Sequence, residues 1–241
     1  MKATNWEFKY RALVFGLIIG VSFPMYTLDP KMSAPELADW LGPRVGINAD
    51  LLARWLLVLS ALLLVVAALT RTWASAYLHA GVVYASEVKT ETLVADGPYR
   101  RVRNPLYLAN VQMAFGMGLL MSRPGFVLCV VAMLLFCYRL IFREEADLLA
   151  SQGESYERYC RVVPRLWPAV AARIPSAGRR ASWRSGFKAE SWYWGFAVAA
   201  TAFAVTLNMK LFLILIAASV GLFWVMSSLA QKKAASSAPG A

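Results

Sequence analysis

The sequence predicts an all-α fold, a polytopic membrane helical bundle of about six transmembrane helices. Three observations carry that prediction. Charged residues make up 16% of the chain, well under the roughly 25% of an ordinary soluble domain. Hydrophobic residues make up 59%, and they gather into runs near the roughly 20 residues a helix needs to cross hydrocarbon. Lysines and arginines fall mostly between every second pair of runs, as the positive-inside rule requires.

The elements follow in order. The first run, 10–28, is interrupted by Pro24 and is too polar at its start for a secretory signal, so it is expected to be retained. The second, 51–69, has Arg54 near one end, where a long side chain can snorkel. The third and fourth, 106–121 and 126–142, are short. They are joined by Ser122-Arg123-Pro124-Gly125, a tight turn that makes them an antiparallel hairpin. The last two, 192–207 and 211–229, are joined by Asn208-Met209-Lys210. Residues 73–95 alternate apolar and small residues and then turn polar, which predicts an interfacial helix followed by an extended piece. Residues 143–168 are expected to prolong the fourth span, stop at Gly153, and restart as a helix before Pro164. The basic stretch 173–188 is expected on the membrane surface.

Five cations, Lys31, Arg44, Arg54, Arg123 and Lys210, fall on one side of this topology and the remaining twenty on the other. The predicted protein is therefore integral and multi-pass, with both termini cytoplasmic and anionic headgroups as the counter-surface of the net +11 charge. That account removes the main support for nucleic-acid binding. Five units are expected: N-terminal helices and interfacial segment (1–83), a core (84–168), a basic connector (169–190), a C-terminal hairpin (191–231) and a disordered tail (232–241).

The chemistry concentrates at the cytoplasmic ends of spans three and four. Tyr99, Asn104 and Tyr107 cluster where Pro105 opens the third span, and Glu144 and Glu145 end the fourth. The hairpin returns both ends to one membrane face, bringing residues some forty positions apart to one depth. Carboxylates accept hydrogen bonds from vicinal hydroxyls, and tyrosine faces attract cations. Arginines and freed N–H groups suit a carboxylate or phosphate. A ligand carrying a ribose, a sulfonium and a carboxylate uses all of these, although spacing alone does not name it.

Asp96-Gly-Pro-Tyr-Arg-Arg-Val-Arg-Asn-Pro-Leu-Tyr107, followed by Arg143-Glu-Glu-Ala-Asp-Leu-Leu149 and the stretch from Gly153 to Pro168, resembles the integral-membrane methyltransferases of the isoprenylcysteine carboxyl methyltransferase and phospholipid methyltransferase group. The resemblance covers residues 84–168. It implies a cytoplasmic-face pocket for S-adenosyl-L-methionine, lined by Tyr99, Asn104, Pro105, Leu106, Tyr107, Glu144 and Glu145, with Thr92, Leu93 and Val94 supplying backbone. It also implies a substrate contact from Arg139 or Arg143. Asn104 departs from the His-Pro of the isoprenylcysteine enzymes and resembles the Asn-Pro of phosphatidylethanolamine N-methyltransferases. An amide is no base at neutral pH, so residue 104 is expected to bind, and no acid or base is assigned.

With His79 the one histidine, the expected acceptor is already nucleophilic or loses its proton to water. It is a lipid or isoprenoid small molecule, and other partners are membrane lipids, with no nucleic acid and no metal. Cys129, Cys137 and Cys160 have no zinc or disulfide spacing. Gly116 and Gly118 sit mid-helix and read as close helix packing. Two other classes compete: an NADPH-dependent membrane reductase of the sterol-reductase type, and a non-catalytic scaffold or carrier. The acceptor atom and the oligomeric state are not encoded in any motif.

Overall fold

A capping box sets the start of the chain's path. Thr4 Oγ1 accepts from the Glu7 N–H at 3.2 Å and Glu7 Oε2 accepts from the Thr4 N–H at 2.6 Å, which opens the short helix α1, Asn5–Lys9. The chain breaks at Tyr10 and continues as α2, Arg11–Ser22, which tightens into the 3₁₀ turn Phe23–Thr27 around Pro24. In the computed structural model, which describes residues 2–78 and 95–236, ten α-helices carry the fold, with no strand among the described residues.

Helix α3, Ser33–Val45, was not expected from the apolar runs. Its signals are local: Pro35 and Glu36 in the first turn, and Gly46, whose φ of 70° ends the helix in the left-handed region. Glu36, Asp39 and Arg44 give it a polar side, so hydropathy misses it. Helix α4, Ala49–Tyr77, is capped by the Asn48 side-chain oxygen Oδ1, which accepts from the Leu51 N–H at 3.1 Å. It runs past the expected end, so residues 73–77 prolong the span and do not begin a separate interfacial helix. The rest of that expected element, 79–94, lies outside the described residues, as does the tail from 237.

Pro105 opens α5, Pro105–Leu119, and Ser122 caps α6, Arg123–Gln152, which ends at Gly153 with φ 55°. Helices α7, Glu154–Val162, α8, Trp183–Ala189, α9, Ser191–Thr206, and α10, Met209–Ser236, follow. Among the described residues two helices, α4 and α6, are long and apolar enough to cross a membrane; six spans were expected. Shorter apolar stretches are Arg11–Thr27 and Met209–Leu222.

Helix α4 is the centre of the bundle, touching α3, α5, α8 and α9, while α6 packs on α5 and α2. Lipid is as apolar as leucine, so close van der Waals packing and interhelical hydrogen bonds hold such a bundle together. Gly116 shows this: a Cβ there would sit 2.9 Å from Leu64 Cγ and 3.1 Å from the Ser60 carbonyl oxygen. Ser60 donates to the Gly116 carbonyl at 2.7 Å. The core between is filled by Leu64, Ala67, Met113, Met117, Met133 and Leu140.

Charge collects at both ends. Arg123 pairs with Asp29 at 2.6 Å and Glu36 at 3.2 Å, beside the Ser33 N–H to Met121 carbonyl bond at 2.8 Å. Glu144 lies twenty-one residues along α6, about 30 Å at 1.5 Å per residue, the thickness of a bilayer's hydrocarbon. The basic connector is not only a surface strip. The Ser182 N–H donates to the Ala76 carbonyl at 2.7 Å, and Gly186 lies so close to α4 that a Cβ would meet the Thr72 carbonyl at 2.6 Å.

Candidate active site

The hairpin α5–α6 brings the predicted residues to one mouth. Asn104, at the start of α5, does not cap its own helix. Its amide donates to Glu145 Oε1 at 3.1 Å and to the Arg165 carbonyl at 3.0 Å. One turn in, the buried Tyr107 hydroxyl donates to Glu144 Oε1 at 2.7 Å. Pro105 is buried at the first helical position and Leu106 is half-buried beside it.

The two glutamates have different surroundings. Glu145 is held by Arg165, from Nε and from NH2, each at 2.9 Å, by Arg103 at 3.4 Å, and by the Asn104 amide. The Arg165 guanidinium and the Asn104 amide hydrogen-bond it, and the Arg103 guanidinium adds an ion pair. Glu144 receives the Tyr107 hydroxyl on one oxygen, and Arg11 and Arg143 lie near enough to act on its charge.

Tyr99 stands in the 3₁₀ turn Gly97–Arg100, which packs on α4. Its carbonyl accepts the Tyr159 hydroxyl at 2.7 Å. The residue is 8% exposed, and its buried phenol oxygen has no hydrogen-bond partner among the described residues. Burial raises its pKa well above the tyrosine range, and the neighbouring Tyr159 and Glu144 push the same way, so it is a neutral donor. Gly97, with φ 57°, has its α-carbon against the Tyr77 ring and leaves no space for a side chain.

The arginines of the 100–103 run were expected to suit an anion. They are instead spent on carbonyls and on Glu145: Arg100 donates to Ile174 O at 2.8 Å, and Arg101 to Val170 O at 2.5 Å. The buried Asp96 gathers the same connector, accepting from the Ser176 hydroxyl at 2.5 Å and from the N–H groups of Arg179 and Ala177. Those bonds, the Ser176 hydroxyl first, lower its pKa from the usual carboxylate range. Arg139 and Arg143 are both engaged by the N-terminal segment. Arg139 grips Glu7 with two bonds, 2.7 and 3.1 Å, and Arg143 lies over the Phe8 ring at 4.7 Å. Thr92, Leu93 and Val94 lie outside the described residues, as does His79. Among the described residues no three His, Cys, Asp or Glu side chains gather to hold a metal ion.

Sequence reasoning missed a second polar cluster behind this mouth. Arg71 of α4 pairs with Glu190 at 2.5 and 3.2 Å, and Glu190 is fully buried. Ser75 donates to Glu190 at 2.5 Å, Arg71 donates to Asn110 at 2.9 Å, and Tyr193 donates to Asn110 and stacks under the Arg71 guanidinium. Both Arg71 and Glu190 act on the Tyr99 phenol. The legible signal was Arg71 so soon after an apolar run, since ionisable groups at membrane depth are costly unless paired.

Comparison with known proteins agrees with the motif reading. Residues 55–151, from within α4 through most of α6, match the family model described as phospholipid methyltransferase, and in this segment the chain is similar to that family. The match begins earlier than the motifs did, inside α4. The chain is 28% identical over 155 residues to the cobalt-zinc-cadmium resistance protein CzcN of Cupriavidus metallidurans, covering 60% of this chain and 68% of that protein. It is 28% identical over 113 residues to the nickel-cobalt-cadmium resistance protein NccN of Alcaligenes xylosoxydans xylosoxydans, covering 47% of this chain and about half, 53%, of that one. No solved structure matches. The matched segment contains α4 and nearly all of α6, the two described helices of membrane length.

Proposed function

We propose that this protein uses S-adenosyl-L-methionine to methylate a lipid-like acceptor, isoprenoid or phospholipid, at the cytoplasmic face of a membrane it spans about six times with both termini cytoplasmic. The observation that carries the reading is the convergence of Tyr107 with Glu144, and Asn104 with Glu145, at one mouth within the family-matched segment. In this reading residues 84–168 form the cofactor core, and the 191–231 hairpin completes the bundle. The metal-resistance names of the two relatives state no reaction and so offer no competing chemistry.

The donor set fits the cofactor. Glu144 presents a carboxylate for vicinal hydroxyls, the Tyr99 phenol is a buried donor without a partner, and the Tyr99 and Tyr107 rings suit a cation. Asn104, Pro105 and Leu106 would shape the wall, with Thr92 to Val94 as its backbone edge. Bound there, S-adenosylmethionine supplies an electrophilic methyl group for in-line displacement. That chemistry asks the protein mainly for alignment and for exclusion of water. Tyr107 fixes the Glu144 carboxylate, and Glu145 fixes the loop behind Asn104. Arg139 or Arg143 would meet the acceptor once the N-terminal segment yields.

A thermal-shift panel on the detergent-solubilised protein tests the reading. S-adenosylhomocysteine is expected to stabilise the parent and to lose that effect in Glu144→Ala and Tyr107→Ala, with no effect of NADPH on any of them. Stabilisation by NADPH alone refutes the methyltransferase assignment, and equal stabilisation of parent and variants refutes the site.

A further inference from the structure

Helix α2 and the α9–α10 hairpin do not close on each other. Between them lies an apolar cavity of about 460 Å³, floored by Met117 of α5. On α2 its wall is Ala12, Gly16 and Gly20, spaced four apart and therefore on one helix face. Across from them stand Phe196 of α9 and Ile216 of α10. Phe23 and Phe212, 6.4 Å apart between ring centres, close one end. Trp192, packed on Tyr193 at 4.3 Å, stands at the other.

The cavity is built open. A Cβ added at Gly16 or Gly20 meets nothing within 4 Å, whereas at Gly116, Gly118 and Gly186 it meets neighbours under 3 Å. Glycine lets helices approach at those three positions; at Gly16 and Gly20 it leaves space. From Ala12 to Phe23 the slot is about 16 Å long at 1.5 Å per residue, roughly half of a bilayer's hydrocarbon. Leu213 of its own wall is half exposed, and its rim joins the apolar outer residues Leu13 and Leu17, each at least half exposed. An apolar void of this kind stays dry, so hydrocarbon is the filling it suits.

We infer that this slot takes a single hydrocarbon chain of the methyl acceptor, whose head then lies at the depth of Tyr107 and Glu144. The placement follows from the rim: Arg11, next to Ala12, is an electrostatic neighbour of both Tyr107 and Glu144. Trp192 adjoins Tyr193, which bonds Asn110 one helical stretch behind them. The volume fixes the class. A slot of about 460 Å³ drawn out along about 16 Å of helix has the shape of one extended chain and not of two side by side. A single-chain acceptor is therefore favoured over a diacyl phospholipid. This inference rests on the proposed methyl transfer for the identity of the chain's owner, and on geometry alone for the slot.

The test uses the full chain in nanodiscs of dioleoyl phosphatidylcholine, with a trace of palmityl alcohol bearing a mid-chain diazirine. Irradiation is expected to label Met117, Phe196 or Ile216 despite the excess of diacyl lipid. Gly20→Leu is expected to cut that labelling by about tenfold, while Leu17→Ala on the outer face leaves it unchanged. Because Gly20 faces open space, Gly20→Leu is expected to keep the parent's thermal midpoint, which checks that it folds. Labelling confined to Leu13 and Leu17, labelling that survives Gly20→Leu, or crosslinks to a second copy each overturn the slot. So does equal labelling by a diazirine phosphatidylcholine, which overturns the single-chain class. S-adenosylhomocysteine stabilisation is read on the same samples. A labelled slot without it refutes the acceptor's tail as occupant and the methyl-transfer reading together; stabilisation without a labelled slot refutes the slot alone.

Discussion

The buried pair Arg71–Glu190 offers the sharpest energetic test of how the bundle is held. Glu190 is fully buried and Arg71 is 7% exposed, and their two contacts at 2.5 and 3.2 Å join α4 to the start of α9. Glu190→Leu leaves the Arg71 guanidinium without its carboxylate and the Ser75 hydroxyl without its acceptor. Arg71→Met leaves a buried carboxylate without its cation. Removing one partner of such a pair costs about 3–5 kcal/mol, while replacing both with apolar residues is often neutral. The expected cycle is therefore two costly single variants and a double variant within about 1 kcal/mol of the parent. Reversible unfolding in mixed micelles of mild detergent and dodecyl sulfate measures it. A Glu190→Leu cost below about 1 kcal/mol, or a double variant that simply adds the singles, refutes the claim that the pair is desolvated and coupled.

Three other outcomes follow from the same contacts. Glu145→Ala strands Arg103 and Arg165 and is expected to lower stability without ligand by about 2–3 kcal/mol; the same unfolding assay should show Glu144→Ala costing less. Tyr99→Phe removes a hydroxyl that has no partner among the described residues, so ligand-free stability should hold or rise by about 1 kcal/mol while S-adenosylhomocysteine stabilisation shrinks; a loss of ligand-free stability contradicts this. The Glu7 carboxyl is held at about 2 by the two Arg139 bonds, with the Thr4 N–H adding to them. A carboxyl with a lowered folded pKa stabilises above its unfolded value, near 4.3, and the gain is lost as pH falls toward 2. Glu7→Gln should therefore cost about 1–2 kcal/mol at neutral pH, with the gap to the parent narrowing below pH 4.5 in acid titrations of the unfolding midpoint.

The parts that could be read from sequence were those set by local chemistry. Pro105, the Ser122–Gly125 turn and Gly153 punctuate the α5–α6 hairpin, and the structure starts and stops its helices there. Hydropathy failed where a helix is amphipathic, as in α3, or where a span runs beyond its apolar stretch, as in α4. The polar contacts were harder still. Nothing in a one-dimensional pattern pairs Arg71 with Glu190, 119 positions apart. The same holds for Glu7 on Arg139, which sets the N-terminus against residues read as substrate contacts. The arginine run looked like an anion receptor because its carbonyl partners, at 170 and 174, come from a connector with no periodicity to read.

Glu144 and Glu145 are neighbours in the chain, yet helix geometry keeps them from sharing one job. Successive residues on an α-helix point about 100° apart. One therefore faces α5 and meets Tyr107, while the other faces the 103–104 and 165 loops and meets Arg103, Asn104 and Arg165. Glu145 cannot release those partners to a ligand without leaving two guanidiniums uncompensated, an exchange that costs more than hydroxyl contacts return. Glu144 gives up nothing comparable, since a carboxylate has about four acceptor positions and the Tyr107 hydroxyl fills one. In the proposed reading the acidic pair thus divides into a ligand-facing residue, Glu144, and a positioning one, Glu145. The contact assigned to Glu145 by resemblance is better placed on the Asn104 amide that it orients.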